Sequence, residues 1–172
     1  KLNVVGSTKV LKPANFIFVR RMIPTFDYNI FFVIILLSGV IHKMASEKKL
    51  LDTFENPQIA KDYLIDMKIP EFTCLCPLTS QPDFAEFSIN YIPDKLCVEL
   101  KSLKLYMGAF RNKGAFHEDV TNMILKDLSN LIKPRYMCVI GYWKVRGGII
   151  TTVTTKHIKK GWKDPNKLIS DV

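Results

Sequence analysis

The chain has 172 residues, 48% of them hydrophobic and 24% charged, which suits a globular protein able to close one core and excludes disordered, collagen-like and disulfide-scaffold classes. Lys plus Arg number 25 against 16 Asp plus Glu, a net charge of +9, but residues 1–43 carry six of the cations against Asp27 alone, so the remaining 129 residues hold only +4. An electrostatic footprint on nucleic acid needs its Lys and Arg on one folded face, so no direct nucleic-acid partner is expected, whereas a phosphorylated small ligand is compatible. Four cysteines in a chain with its own core read as reduced thiols of a cytoplasmic protein.

The first feature along the chain is the apolar run 30–41, IFFVIILLSGVI, bounded by Asp27 and by His42-Lys43. A spanning helix needs about 20 apolar residues, and this run is shorter. Arg20 and Arg21 supply the basic flank of a secretory signal, yet no small-x-small cleavage site follows. Met44-Ala45-Ser46-Glu47 reads as a natural start. Residues 1–43 are therefore expected to be a leader or upstream extension outside the fold, and 44–172 the functional domain, with no membrane partner.

Leu50, Leu51 and Phe54 suggest a short helix or apolar clip ended by Asn56-Pro57. Alternation over 62–69 suits an edge or half-buried strand closed by Pro70, and 72–82, with Pro77 and Pro82, reads as a loop. Residues 84–92 place Ala85, Phe87, Ile89 and Tyr91 on one face of a strand. After a turn at 93–95, the segment 96–106 begins as a returning strand and becomes amphiphilic, and 111–114 is a further break. Over 117–132, Val120, Met123, Ile124, Leu128, Leu131 and Ile132 recur at helical spacing, predicting an amphipathic helix stopped by Pro134. Residues 136–145 and 149–155 are β-rich runs joined at Arg146-Gly147-Gly148 as a hairpin, and the tail from Lys159 is polar and expected to be loose. The sum is an α+β domain: an antiparallel sheet with helices on one face.

Reactive residue types concentrate at 74–83, at 99–104 and at His117-Glu118. A thiol is the best neutral-pH nucleophile among side chains but needs a cationic or helix-terminal partner to ionise. Asp83 can donate a proton from a desolvated site, and Glu118 can accept from the donor edge of a purine-like base. Each has a plainer reading. Buried Cys is commonly a small hydrophobe, the reading given to Cys97 and Cys138; Asp83 can simply end a loop; Glu118 and Asp119 suit a helix N-terminus; Lys101 and Lys104 suit a solvated face, and Arg146 a hairpin. His157 has no evident partner. Cys74, Cys76 and His117 would make three zinc ligands, but a one-residue gap between cysteines chelates a tetrahedral ion poorly, and no metal is expected.

The loop FTCLCPLTSQPDFA, the segment VELKSLKLY, the run FRNKGAFHED and the hairpin VRGG, in this order, resemble the 7-cyano-7-deazaguanine reductases, the NADPH-dependent nitrile reductases of queuosine biosynthesis in tRNA modification, in their short single-module form. The resemblance spans residues 48–155. It implies a tunnelling fold (T-fold) whose subunits form rings with active sites between neighbours, here a homo-oligomeric decamer of two stacked pentamers. It also implies reduction of the nitrile of 7-cyano-7-deazaguanine to 7-aminomethyl-7-deazaguanine with two NADPH. Carried over by position, Cys76 matches the nucleophile that forms a thioimide and Asp83 the acid that protonates the nitrogen. Val98, Glu99, Leu100, His117 and Glu118 match the base pocket, and Lys101, Lys104 and Arg146 match groups that meet the cofactor phosphates. No GxGxxG fingerprint is present, but this fold binds its cofactor without a Rossmann unit. Cys74 replaces a smaller polar residue usual in the family, leaving open a disulfide with a neighbour under oxidation. Ser80 replaces a usual Gly. The competing readings are a zinc-dependent GTP cyclohydrolase-like hydrolase of the same fold, for which only His117 is well placed, and a membrane-tethered protein resting on the run 30–41.

Overall fold

The computed structural model describes residues 49–169, so the leader expected at 1–43, its apolar run and the start at Met44 lie outside the described residues. The elements in order are β1 (Thr53–Glu55), β2 (Ile65–Leu75), β3 (Pro82–Ile92), β4 (Leu96–Val98), α1 (Leu100–Gly108), a 3-10 turn (Ala109–Asn112), α2 (His117–Ile132), β5 (Tyr136–Arg146) and β6 (Ile149–Ile158). The long strands form an antiparallel sheet in the order β2-β3-β5-β6, and β1 pairs with β4 in a separate ribbon. No helix among the described residues is long and apolar enough to cross a membrane.

The alternation in β3 buries Ala85, Phe87, Ile89 and Tyr91 against the helices, as its period of two requires. Helix α2 spans the residues its periodicity predicts. Val120, Ile124, Leu128 and Ile132 are all but fully buried on its inner face, each stabilising the fold by roughly 1.5–3 kcal/mol. Lys133 in the left-handed conformation closes the helix just before Pro134. The β5–β6 hairpin turns through Gly147 and Gly148 at φ 55° and 80°, the pair of positive angles that a two-residue turn needs to match strand twist.

Four expectations need correction. The segment after Leu51 is neither helix nor clip but strand β1, whose Thr53, Phe54 and Glu55 pair with Val98, Cys97 and Leu96. Pro70 does not close β2. It sits at a register shift between Ile69 and Phe72, and because β2 is an outer strand the missing N–H removes no ladder bond. The strand runs on to Leu75, so the loop shortens to 76–81. The segment after Val98 is helix α1, started by Glu99, whose carboxylate accepts hydrogen bonds from Lys101 N (2.8 Å) and Ser102 N (2.7 Å).

The tail is not loose over its described length. Trp162, Leu168 and Ile169 pack on Ile92, Tyr136, Cys138 and Ile140, which form a second apolar cluster apart from the one under the helices. Asp164 fixes this segment by accepting from Leu168 N (3.0 Å) and Ile169 N (2.8 Å). Sparse apolar residues at 162, 168 and 169 leave too faint a pattern to announce a covering layer. Trp162→Ala is expected to destabilise the fold by roughly 1–3 kcal/mol, somewhat less than a fully buried aromatic would. Urea denaturation measures this, and an unchanged midpoint would contradict the packed tail.

Candidate active site

Four segments meet at one end of the sheet. Register pairs Cys74 with Asp83 and Leu75 with Pro82, so the loop 76–81 begins and ends beside itself, closed by Cys76 N to Gln81 O (2.8 Å) and Ser80 N to Cys76 O (2.9 Å). Ser80 adopts φ 56°, a left-handed conformation that glycine takes without strain. The segment before α2 docks on the end of β2 through Leu75 N to Lys113 O (2.9 Å) and Ala115 N to Leu75 O (3.0 Å). Gly114 permits this approach: a Cβ there would stand 3.3 Å from Pro77 Cα. The last strand residue of β5, Arg146, reaches back across the sheet.

These segments enclose a cleft of about 340 Å³ lined by Cys76, Thr79, Asp83, Phe116, His117, Glu118 and Arg146 among others. Arg146 Nη1 donates to both oxygens of the buried Asp83 (2.8 and 2.9 Å), and its Nη2 donates to Thr79 Oγ1 (3.1 Å). His117 Nε2 lies 3.4 Å from Asp83 Oδ2. The imidazole is stacked on Trp143, ring centroids 3.8 Å apart and planes within 7°.

Cys74 at the end of β2 and Cys76 in the loop lie two residues apart, and their pKa values are shifted in opposite directions. The Cys76 thiol is lowered to about 6, first by the Thr79 hydroxyl and the Thr79 N–H, then by the Arg146 guanidinium and the Leu78 N–H, all of which stabilise the thiolate. Cys74, fully buried, is pushed up to about 12 by burial, with Asp83 and Cys76 adding to the rise and Arg146 opposing it. Cys76 is thus the ionisable thiol of the pair and Cys74 an inert one.

Of the residues singled out from sequence, the fold brings Cys76, Asp83, His117, Glu118 and Arg146 together. Val98, Glu99, Leu100, Lys101 and Lys104 do not line this cleft. Val98 is buried in the ribbon with Thr53, the Glu99 carboxylate caps α1, and Leu100 is 63% exposed. Lys104 instead lines a separate groove of about 510 Å³ between α1 and β2, with Lys68, Arg111 and Glu71 also on its wall. Sequence reasoning missed Thr79 and Trp143. The hydroxyl three residues after Cys76 was a usable signal for the first, but nothing local marks a strand tryptophan as the neighbour of His117. Among the described residues no cluster of His, Cys, Asp or Glu has the arrangement of a metal site.

Residues 82–162 match a protein-family profile described as QueF-like protein. The NADPH-dependent 7-cyano-7-deazaguanine reductase of Nitrosomonas europaea is 56% identical over 124 residues, 72% of this chain and 89% of that protein. The protein of the same name from Nitrosomonas eutropha is 60% identical over 114 residues, covering 66% of this chain and 82% of the relative. This chain belongs to the family of NADPH-dependent 7-cyano-7-deazaguanine reductases. The reductase of that name from Alkalilimnicola ehrlichii, 57% identical, is covered to 92% of its length by 69% of this chain. The crystal structure of the apo archaeosine synthase QueF-Like superposes with a TM-score of 0.51 at 22% identity, covering 54% of this chain and 91% of that one, and shows a shared fold.

For a reductase of this family the ionisation of Cys76 is directly measurable. A thiol with a pKa of about 6 is about nine-tenths thiolate at pH 7, and only the thiolate alkylates. The iodoacetamide reaction at Cys76, followed by mass spectrometry, is expected to fall as pH drops through about 6. Thr79→Ala removes the hydroxyl donor and should move that midpoint upward. A midpoint near 8.5 in the unaltered protein, the value of a free thiol, would show that the loop does not activate Cys76.

Proposed function

We infer that this chain reduces the nitrile of 7-cyano-7-deazaguanine to the primary amine with NADPH, through a covalent thioimide on Cys76. Its curated relatives carry the name of that activity. The observation that carries the mechanism is the junction of Cys76, Thr79, Arg146 and Asp83, which pairs an activated thiol with a carboxyl at the mouth of one cleft.

The steps follow from the residues present. The Cys76 sulfur donates an electron pair to the nitrile carbon, forming a C–S bond while one C–N π pair withdraws onto nitrogen. That nitrogen must gain a proton, and the Asp83 carboxyl, beside His117 Nε2 at 3.4 Å, is the group that supplies it. As the thiolate becomes a neutral thioether-like sulfur, Asp83 gives up its proton and becomes a carboxylate, so Arg146 exchanges one anionic partner for the other and holds Asp83 through the step. The covalent bond converts a poor acceptor into a protonatable C=N, dividing one hard reduction into two easier ones. NADPH, when bound, would supply a hydride to carbon in each of the two reductions, and the nitrogen takes up a second proton from solvent to complete the amine. Cleavage of the C–S bond between them returns the sulfur pair to Cys76, where the loop N–H groups, the Thr79 hydroxyl and Arg146 again stabilise it.

Glu118, exposed on the first turn of α2 at the edge of the cleft, presents a carboxylate suited to two parallel donors of the base. The cofactor phosphates fit the cations of the α1 groove, where Lys104, Lys68 and Arg111 would meet them with Lys101 nearby on the same helix. Arg146 has its donors committed to Asp83 and Thr79 in this state, so a cofactor role for it requires that these bonds be shared.

Assembly into tunnelling-fold rings, as two stacked pentamers, belongs to the same proposal. The outer strands β2 and β6, 11 and 10 residues long, present unpaired ladder edges of the kind that another copy extends. The two grooves share no lining residue, which favours a site completed by a second subunit. Domain limits at 44–172 remain part of this reading, as does a cytoplasmic location, favoured by a nucleophile that must stay a reduced thiol.

Incubation with the nitrile substrate in the absence of NADPH tests the mechanism. Intact-mass analysis should show one substrate added per subunit, lost in Cys76→Ala and kept in Cys74→Ala. An adduct that survives Cys76→Ala would overturn the assignment. Asp83→Asn should slow both adduct formation and turnover by about 10²- to 10⁴-fold, the usual contribution of a general acid, and a wild-type adduct rate in that variant would remove Asp83 from proton transfer.

A further inference from the structure

Trp143 lies between the core and the cleft. It is 2% exposed, while its strand neighbours Tyr142 and Lys144 are exposed, and its indole meets the first turn of α2 at His117. One side of the indole is wedged edge-on against Phe72 (5.9 Å, 88°) and Phe87 (5.8 Å, 80°). The other side carries the His117 imidazole flat against it.

The fold makes two concessions to this indole. Gly141 is buried and has no positive φ, so backbone freedom does not require glycine there. Room does: a Cβ at 141 would stand 2.9 Å from Trp143 Nε1, 3.0 Å from Thr121 Oγ1 and 3.1 Å from Phe87 Cε1. Trp143 Nε1 is itself buried without a hydrogen-bond partner, a cost that phenylalanine or leucine would avoid. A residue kept at both costs is held for its broad, flat face.

That face meets the one degree of freedom the site leaves open. The backbone of His117 is fixed because its carbonyl accepts from Thr121 Oγ1 at 2.8 Å, but the ring can still turn about its side-chain torsions toward solvent, with 18% of the side chain exposed. Stacking fixes the ring plane, and Asp83 then fixes the direction in that plane. We propose that Trp143 is a positioning residue for the reaction, holding His117 in the plane that keeps Nε2 against Asp83. This rests on the reading of Cys76 and Asp83 given above.

Two measurements decide it. The first uses no substrate. Trp143 and Trp162 are the two tryptophans of the chain, so Trp162→Phe leaves Trp143 as sole reporter, and a stacked imidazole alters indole emission differently when protonated. A fluorescence transition with pH is expected, abolished by His117→Gln. Asp83, Arg146, Glu118 and Cys76 also face His117, so a transition that persists in His117→Gln belongs to one of them and overturns the stack as the coupling. The second compares Trp143→Leu with Phe87→Leu, which loosens the same aromatic cluster, and with Trp143→Phe, which keeps an aromatic face. Per folded subunit, Trp143→Leu should lose about tenfold or more in adduct rate and kcat with KM little changed, Trp143→Phe should recover most of it, and Phe87→Leu should remain near wild type. Equal losses in the two leucine variants at matched melting temperatures would reduce Trp143 to a packing residue. If the unaltered protein forms no Cys76 adduct, the thioimide reading fails, and the fluorescence arm still decides whether His117 is held by the indole.

Discussion

The site depends on a single guanidinium. Arg146 donates twice to Asp83 and once to Thr79, and it helps to hold Cys76 as a thiolate. A thiolate and a carboxyl group that must turn anionic in the same small cleft both resist burial; a cation between them supports each in turn, with geometry fixed by its planar fork. Lysine would supply charge without that fork. Arg146 can take this position because β5 continues past Trp143 through a register shift to a closing pair of Arg146 with Ile149, from which its guanidinium reaches Asp83 at the start of β3.

The sheet makes this convergence possible by register alone. Pairing of Cys74 with Asp83 places the nucleophile loop and the acid on adjoining strand ends, and pairing of Ala85 with Trp143 sets the indole two residues further in. A slip of one residue in either ladder would turn the opposite faces toward the cleft. The core protects that register: Phe72, Phe87 and Trp143, one from each of the three strands, interlock edge to face, so a slip would break an aromatic cluster as well as hydrogen bonds. Stability and catalytic geometry therefore share residues at this end of the molecule, which is why a substitution such as Trp143→Leu must be read against a packing control.

How much of this could be read from the chain varies with the range of the interaction. Helix α2 and strand β3 were plain because their burial repeats every few residues. Strand β1 and the packed tail were not, because three residues pairing with 96–98 and scattered apolar side chains at 162, 168 and 169 carry no period. Pro70 misled because proline signals an end unless the strand is known to be outermost, a fact of topology. Within the site, Cys76, Asp83, His117, Glu118 and Arg146 are named through the resemblance, but Arg146 as a group for the cofactor phosphates, and the bridge it makes to Asp83 joins residues 63 positions apart in sequence. A charged hairpin residue looks the same whether it meets solvent or a buried carboxylate.

The division of chemistry between two grooves bears on assembly. The cleft at Cys76 and the groove beneath α1 share no lining residue, and the cations suited to a dinucleotide stand in the second while the activated sulfur stands in the first. A reductase needs its hydride donor in contact with the carbon being reduced. If copies join through the free edges of β2 and β6, as proposed above, the α1 groove of one subunit would complete the Cys76 cleft of another. On the ring reading proposed above, the thiol, acid and base-binding residues meet within one chain, and only the cofactor groove is supplied by another copy. Dilution below the assembly threshold should then abolish reduction before it abolishes alkylation of Cys76, because thiolate activation is built within one subunit.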